Sequence, residues 1–159
     1  MPTAKQFFPS PPDYECPFCK VASGKGDAKT VPSDIVYNDD HTTAFISPKW
    51  WPNNIGYAII IPNQHYQDIF DLPAEVAAHI HRTAQKIAEA YVELYQCDGV
   101  STRQHNGMYP LQEVRHYHLH LFPRYRNDNL YSLDDQFYRT TPEQRLPYAQ
   151  KLRAFLERT

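Results

Sequence analysis

Five consecutive residues, His116-Tyr117-His118-Leu119-His120, carry the densest chemistry in this chain of 159 residues. On an extended strand side chains alternate faces, so the three imidazoles share one face at steps of about 6–7 Å. Tyr117, Leu119 and Leu121 then point the other way, toward a core. Three imidazoles on one face of an otherwise apolar strand are costly unless they meet partners or a ligand. Two chemistries fit. His-x-His is a metal-chelating pattern, and a neutral imidazole is also a competent nucleophile when its neighbours orient it and stabilise charge. Spacing alone leaves both open. A second reactive group is Cys16-Pro17-Phe18-Cys19, whose two thiolates fall two ligands short of tetrahedral zinc.

The elements that must position these residues are readable from pattern. Residues 34–37 and 43–46 read as strands joined by the turn residues Asn38, Asp39 and Asp40. The stretch 47–54 carries two prolines, two tryptophans and two asparagines and reads as a loop. A dense β-branched run, 57–61, suits a buried strand closed by Pro62. A long helix is expected over 72–95, with Pro73 in its first turn and an apolar stripe through Val76, Ile80, Ala84, Ile87, Tyr91 and Leu94. Residues 99–103 and 115–122 are the remaining strands. Thr141-Pro142-Glu143-Gln144 has the capping-box pattern and opens a C-terminal helix over about 142–157. Strands with two widely separated helices predict an α+β fold on an antiparallel sheet.

Composition bounds the function. Hydrophobic residues make up 42% and charged residues 21%, as in globular proteins, and the length suits one domain. A formal net charge of −2 argues against broad electrostatic binding to nucleic acid or an acidic membrane. No apolar run approaches the roughly 20 residues that span a bilayer, and the first residues lack the apolar region of a signal peptide. A cytoplasmic protein is expected. An odd count of three cysteines, two of them in Cys-x-x-Cys, points to metal or reduced thiols rather than a disulfide framework.

The run His116 to Phe122 resembles the motif of the histidine triad family, in which histidines alternate with hydrophobic residues. The resemblance extends to Cys16-Pro17-Phe18-Cys19-Lys20, to residues 35–41, to Ala44-Phe45-Ile46, to 59–65, to Gln104-His105-Asn106-Gly107 and to Pro123-Arg124-Tyr125. It implies a five-stranded antiparallel sheet with the long helix packed on it, within a domain at 15–127. Residues 1–14 would precede it as an extended segment, and 128–159 would follow as an extension carrying the C-terminal helix. It also implies a nucleotide substrate, adenosine-containing, in a homodimer without an organic cofactor. The middle histidine, His118, would attack the α-phosphorus to form a nucleotidyl-histidine, His120 would donate to a phosphate oxygen, and the Gln112 amide would reach the phosphate or the nucleophile. Asn106 matches a phosphate-contacting asparagine, Phe18 and Phe45 match base-pocket positions, and Ser47 stands at the ribose-binding position. One structural zinc ion would be held by Cys16, Cys19, His65 and His116, leaving His118 free.

The implied activity is hydrolysis of a nucleoside phosphoramidate or dinucleoside polyphosphate. Nucleotidyl transfer through the same intermediate is an alternative, and a metal-dependent hydrolase or metal-binding module using the three histidines as ligands is another. This sequence departs from the family pattern at several points. Ser47 replaces an acidic residue or asparagine, Tyr57 a frequent histidine, and Leu111 and Glu113 the small residues flanking Gln112. Trp50 and Trp51 sit in a longer loop that would lid the pocket or pack at a dimer interface. These departures bear on nucleoside and leaving-group choice.

Overall fold

The computed structural model describes residues 9–107, 109 and 111–159. Of the extended segment expected over 1–14, residues 1–8 lie outside the described residues. The fold is α+β. A short helix α1 (Pro17–Ala22) is followed by β1 (Ile35–Asn38), β2 (Thr42–Ile46), β3 (Lys49–Trp50) and β4 (Ala58–Pro62). The long helix α2 (Ala74–Tyr95), β5 (Gly99–Arg103), β6 (Leu119–Arg124), β7 (Tyr138–Arg139) and α3 (Pro142–Leu156) complete it. Five strands form one antiparallel sheet in the order β1-β2-β4-β6-β5, and β3 and β7 pair as a separate ribbon.

Each element follows from local chemistry. Asp39 turns β1 into β2 because its carboxylate accepts from the backbone N–H groups of His41 (2.8 Å) and Thr42 (2.7 Å). β2 and β4 are buried along their whole length, which is why both lack polar alternation. α2 buries Ile80, Ala84, Ile87 and Tyr91 from the expected stripe and packs across β4, β6 and β2. Its first helical residue is Ala74, with Pro73 as the N-cap, one step outside the expected first turn.

Thr141 and Gln144 form the expected capping box on α3. This helix also buries Arg145, whose guanidinium donates to both oxygens of Asp34 at 2.8 Å. Gly56 sits at φ +69°, and a Cβ there would collide with the Tyr148 ring of α3, so the β4 approach admits only glycine.

Three elements differ from the sequence reading. The last sheet strand begins at Leu119, not 115. The β4–β6 ladder stops at Ile60↔Leu119 because Pro62, two residues on, has no N–H to donate. Tyr117 N–H bonds instead to Tyr66 O (2.6 Å). The expected loop at 47–54 contains β3, which pairs with residues 138–139 far along the chain. α1 was hidden because its Pro17 start and six residues leave no periodicity to read.

Candidate active site

His116 is fully buried, and its two ring nitrogens have distinct neighbours. Nε2 lies 2.9 Å from Pro62 O, and a carbonyl can only accept, so Nε2 carries the proton. Nδ1 then presents its lone pair to Cys16 Sγ at 3.3 Å and Cys19 Sγ at 3.6 Å. Cys19 Sγ is also 3.3 Å from His65 Nδ1. All four candidate ligand atoms lie within 4.8 Å of one another. Bond lengths of about 2.3 Å for Zn–S and 2.0–2.1 Å for Zn–N give ligand–ligand edges of about 3.6 Å in a tetrahedron, so the set fits zinc. Burial pushes the His116 imidazole down to about 4. It also pushes the Cys19 thiol, beside Cys16, up to about 12. A divalent cation among these four groups would favour both ligating forms. Four protein ligands close the coordination sphere, so the residues fit a structural clamp joining α1 to the histidine segment.

The histidine segment next turns outward. His118 Nδ1 lies 2.7 Å from the backbone carbonyl of His116, which makes Nδ1 the protonated nitrogen and leaves the lone pair on Nε2. Burial holds His118 below the ordinary imidazole range, so the ring is neutral near pH 7. His120 follows with its ring centroid 5.1 Å from that of His118. Burial, and then the neighbouring His118 and Arg103, depress it further. Its Nδ1 is buried without a hydrogen-bond partner among the described residues. Phe18 packs edge-on to His118 at 5.2 Å and to Phe45 at 5.4 Å.

His118 and His120 line a cavity of about 520 Å³, a size suited to a small ligand. Of the residues expected at the nucleotide, Phe18 and Ser47 also line it. Ser47 Oγ lies 2.9 Å from the Tyr57 hydroxyl, so the two departures from the family pattern are bonded to each other. Phe45 is fully buried behind Phe18. Gln112 spends its amide on backbone: Oε1 accepts from Gly107 N–H (2.9 Å), and Nε2 donates to Gln67 O (2.6 Å) and Val114 O (3.1 Å). Asn106 is likewise occupied, accepting from Ile69 N–H (2.7 Å) and exchanging bonds with Gln104. Neither lines the cavity, whereas His105 does.

Of the charged wall, sequence reasoning singled out only Glu113. Lys49, Arg103, Glu113, Asp134 and Arg139 all border the cavity. Trp51 joins them, its indole N–H donating to Asp134 O at 3.2 Å. It faces the pocket, while Trp50 packs against Tyr148 at 5.1 Å.

A buried neutral histidine with one ring nitrogen left free by the backbone thus stands at a cavity, beside a Cys-Cys-His-His group that fits zinc. The HIT domain pattern matches residues 28–127, more than half of the chain, and the chain belongs to the HIT family. It is 30% identical over 122 residues to the adenosine 5'-monophosphoramidase HNT1 of Saccharomyces cerevisiae, covering 77% of this chain and 70% of that protein. It is 28% identical over 118 residues to the adenylylsulfatase HINT3 of Arabidopsis thaliana, covering 74% and 56%. The crystal structure of a zinc-bound histidine triad family protein from Mycobacterium smegmatis superposes with a TM-score of 0.71 at 30% identity, covering 91% of this chain and 94% of that one. The family includes nucleotide hydrolases. No helix among the described residues is long and apolar enough to cross a membrane.

Proposed function

We propose that this chain hydrolyses an adenosine-containing nucleotide, a phosphoramidate or a dinucleoside polyphosphate, through a nucleotidyl intermediate on His118. The observation that carries the reading is the bond from His118 Nδ1 to the His116 carbonyl at 2.7 Å. It commits the ring to the tautomer whose Nε2 is nucleophilic, on a residue that lines the cavity. Nε2 attacks the α-phosphorus and forms a P–N bond. The bond to the leaving group breaks and its electron pair departs with that group. Water then attacks phosphorus, the P–N bond breaks, and the water's proton is released. The unpartnered buried nitrogen of His120 supports a role in contacting the phosphate.

Zinc belongs to the structural side of this reading, held by Cys16, Cys19, His65 and His116, where it would fix the segment that carries His118. The alternative in which the triad itself binds a catalytic metal is disfavoured, because the candidate donor group contains neither His118 nor His120. Transfer to an acceptor other than water uses the same intermediate and differs only in what enters the cavity second. Gln112 and Asn106 serve this reading as positioning residues of the loop beside the site rather than as direct contacts. We place the chain in the cytoplasm as a homodimer, with residues 15–127 as the HIT unit and 128–159 as an extension. The exposed edge residue Val100 of β5 and exposed Val92 of α2 support an interface there.

The test is mass spectrometry of protein quenched during turnover with adenosine and guanosine derivatives. A nucleotidyl adduct on His118 is expected, and His118→Asn should lose the adduct and all turnover while zinc stays near one ion per chain. Turnover that survives the substitution would overturn the reading.

A further inference from the structure

We propose that Lys49, Arg103 and Arg139 form a subsite for the anionic leaving group. The chain would then select nucleotides that release a charged oxyanion, a phosphate or a sulfate, over those that release a neutral amine. The proposal rests on the hydrolase reading above and specifies its substrate class.

Arg103 stands directly opposite His120 in the β5–β6 register, so the two side chains leave the sheet on one face. Its guanidinium carbon sits 4.7 Å from the Trp51 ring and 5.0 Å from the Phe122 ring, contacts that hold it on the face of the third histidine. One terminal nitrogen is 3.2 Å from Asp134 Oδ1, while Nε is buried without a hydrogen-bond partner among the described residues. A guanidinium offers five N–H donors, so this one is under-used.

Lys49 and Arg139 are cross-strand partners in the β3–β7 ribbon, and both line the same cavity. Like charges directly opposite one another destabilise a strand pair unless an anion is shared between them. Lys49 has such an anion in Glu113, at 3.0 Å. The acids, however, are the exposed partners. Glu113 and Asp134 side chains are 58% and 68% exposed, whereas Lys49 and Arg103 are 20% and 19% exposed. Solvent-facing carboxylates in weak ion pairs can swing into water, while the more sheltered Lys49 and Arg103 stay and exposed Arg139 stands at the rim. A third acid on the lining, Asp27, already accepts from the backbone N–H groups of Lys29 and Thr30.

Three cations from three strands, with Lys29 as a fourth from a loop, thus line the cavity that holds His118 and His120, and two of the three acids there are displaceable, in a chain whose net charge is −2. A tetrahedral oxyanion departing from the α-phosphorus would exchange for those carboxylates and gain charge-assisted hydrogen bonds. When the P–O bond breaks, the electron pair stays on the departing oxygen, and the negative charge grows where these cations point. An amine leaving group takes up a proton and gains nothing from them. Arg139 lies beyond residues 28–127, so the selectivity comes partly from this chain's own extension.

The experiment measures kcat/KM for adenosine 5'-phosphoramidate, diadenosine triphosphate and adenosine 5'-phosphosulfate, with calorimetric titration of pyrophosphate in parallel. Lys49→Gln and Arg139→Gln are each expected to lower the ratio of anionic-leaving to amine-leaving kcat/KM about tenfold, as the loss of one charge-assisted bond implies. Lys49→Arg should restore it. A response confined to the triphosphate supports the subsite as a phosphate-chain site, and one confined to the phosphosulfate supports a single-oxyanion site. Pyrophosphate should bind the wild-type protein and bind at least tenfold more weakly to either Gln variant. Ratios that stay within twofold in both variants overturn the proposal, as does a wild-type protein that binds no pyrophosphate. A wild-type protein that turns over none of the nucleotides, yet binds pyrophosphate through Lys49 and Arg139, would sink the hydrolase reading and leave the subsite standing.

Discussion

Replacing Arg145 with methionine is expected to cost about 3–5 kcal/mol of stability, the range for stranding a buried charge. The two partners are 1% and 0% exposed. Arg145 donates to Asp34 through Nε and a terminal nitrogen at 2.8 Å each, and to the backbone carbonyls of Thr140 at 2.7 Å and Lys29 at 3.0 Å. Methionine keeps most of the volume but leaves the Asp34 carboxylate, still capped by Val31 N–H at 2.8 Å, without its counter-charge. For a chain of this size each kcal/mol moves the melting midpoint by about 2–4 °C, so a loss of roughly 6–20 °C is expected. The control is Asp34→Asn combined with Arg145→Met, which removes the stranded charge and keeps an acceptor for Val31. It should regain at least about 1.5 kcal/mol relative to Arg145→Met alone. Urea unfolding of all four members of the cycle, with unchanged m-values, measures this. If the double variant is no more stable than the single, the cost lies in packing or in the two carbonyls, and the electrostatic argument fails.

Two further perturbations follow from the same packing. Tyr91 bridges β4 and β6 beneath the histidines, its hydroxyl accepting from Ala58 N–H (2.6 Å) and donating to Leu121 O (3.0 Å). Tyr91→Phe should destabilise the fold by about 2–4 kcal/mol, because two buried backbone groups lose a partner; a change below about 0.5 kcal/mol in thermal unfolding would contradict this. Asp128 is held well below the usual carboxylate range, first by Arg124 and then by the Tyr125, Asn54 and Leu130 donors. A depressed folded value means its contribution is present above the unfolded value near 4 and drains away as pH falls through the folded one. Unfolding free energy should therefore drop steeply below about pH 4, and Asp128→Asn should flatten that slope while lowering stability at pH 7.

Much of this architecture was legible because it is local. The α2 stripe, the Thr141 box and the Asp39 turn each depend on residues within a few positions of one another. The triad and Cys-x-x-Cys were visible for the same reason, and the four candidate zinc ligands do meet in space. What escaped notice depends on pairing across long stretches of chain. The start of β6 is set by Pro62 in another strand, and β3 exists only because 138–139 returns to it. The same return builds the charged wall, so Lys49 and Arg139 carried no sequence signal of adjacency. Gln112 and Asn106 could be aligned with a motif, but alignment does not tell which way an amide faces. Both tie their loop to the segment at Gln67 and Ile69, while His105, given no firm role from sequence, lies on the cavity.

His116 touches two centres at once. Its imidazole belongs to the cysteine cluster, and its backbone carbonyl sets the tautomer of His118. With zinc in the cluster and His118 as the nucleophile, as proposed above, removing the ion would let this residue shift and turn His118 with it. Inactivation by a chelator would therefore be no signature of Lewis-acid chemistry in this protein; it would report that one peptide unit serves as both anchor and aiming device. Substitutions at position 116 should accordingly read as catalytic defects in an activity screen and as metal defects in a stability screen, although the side chain lies away from the cavity.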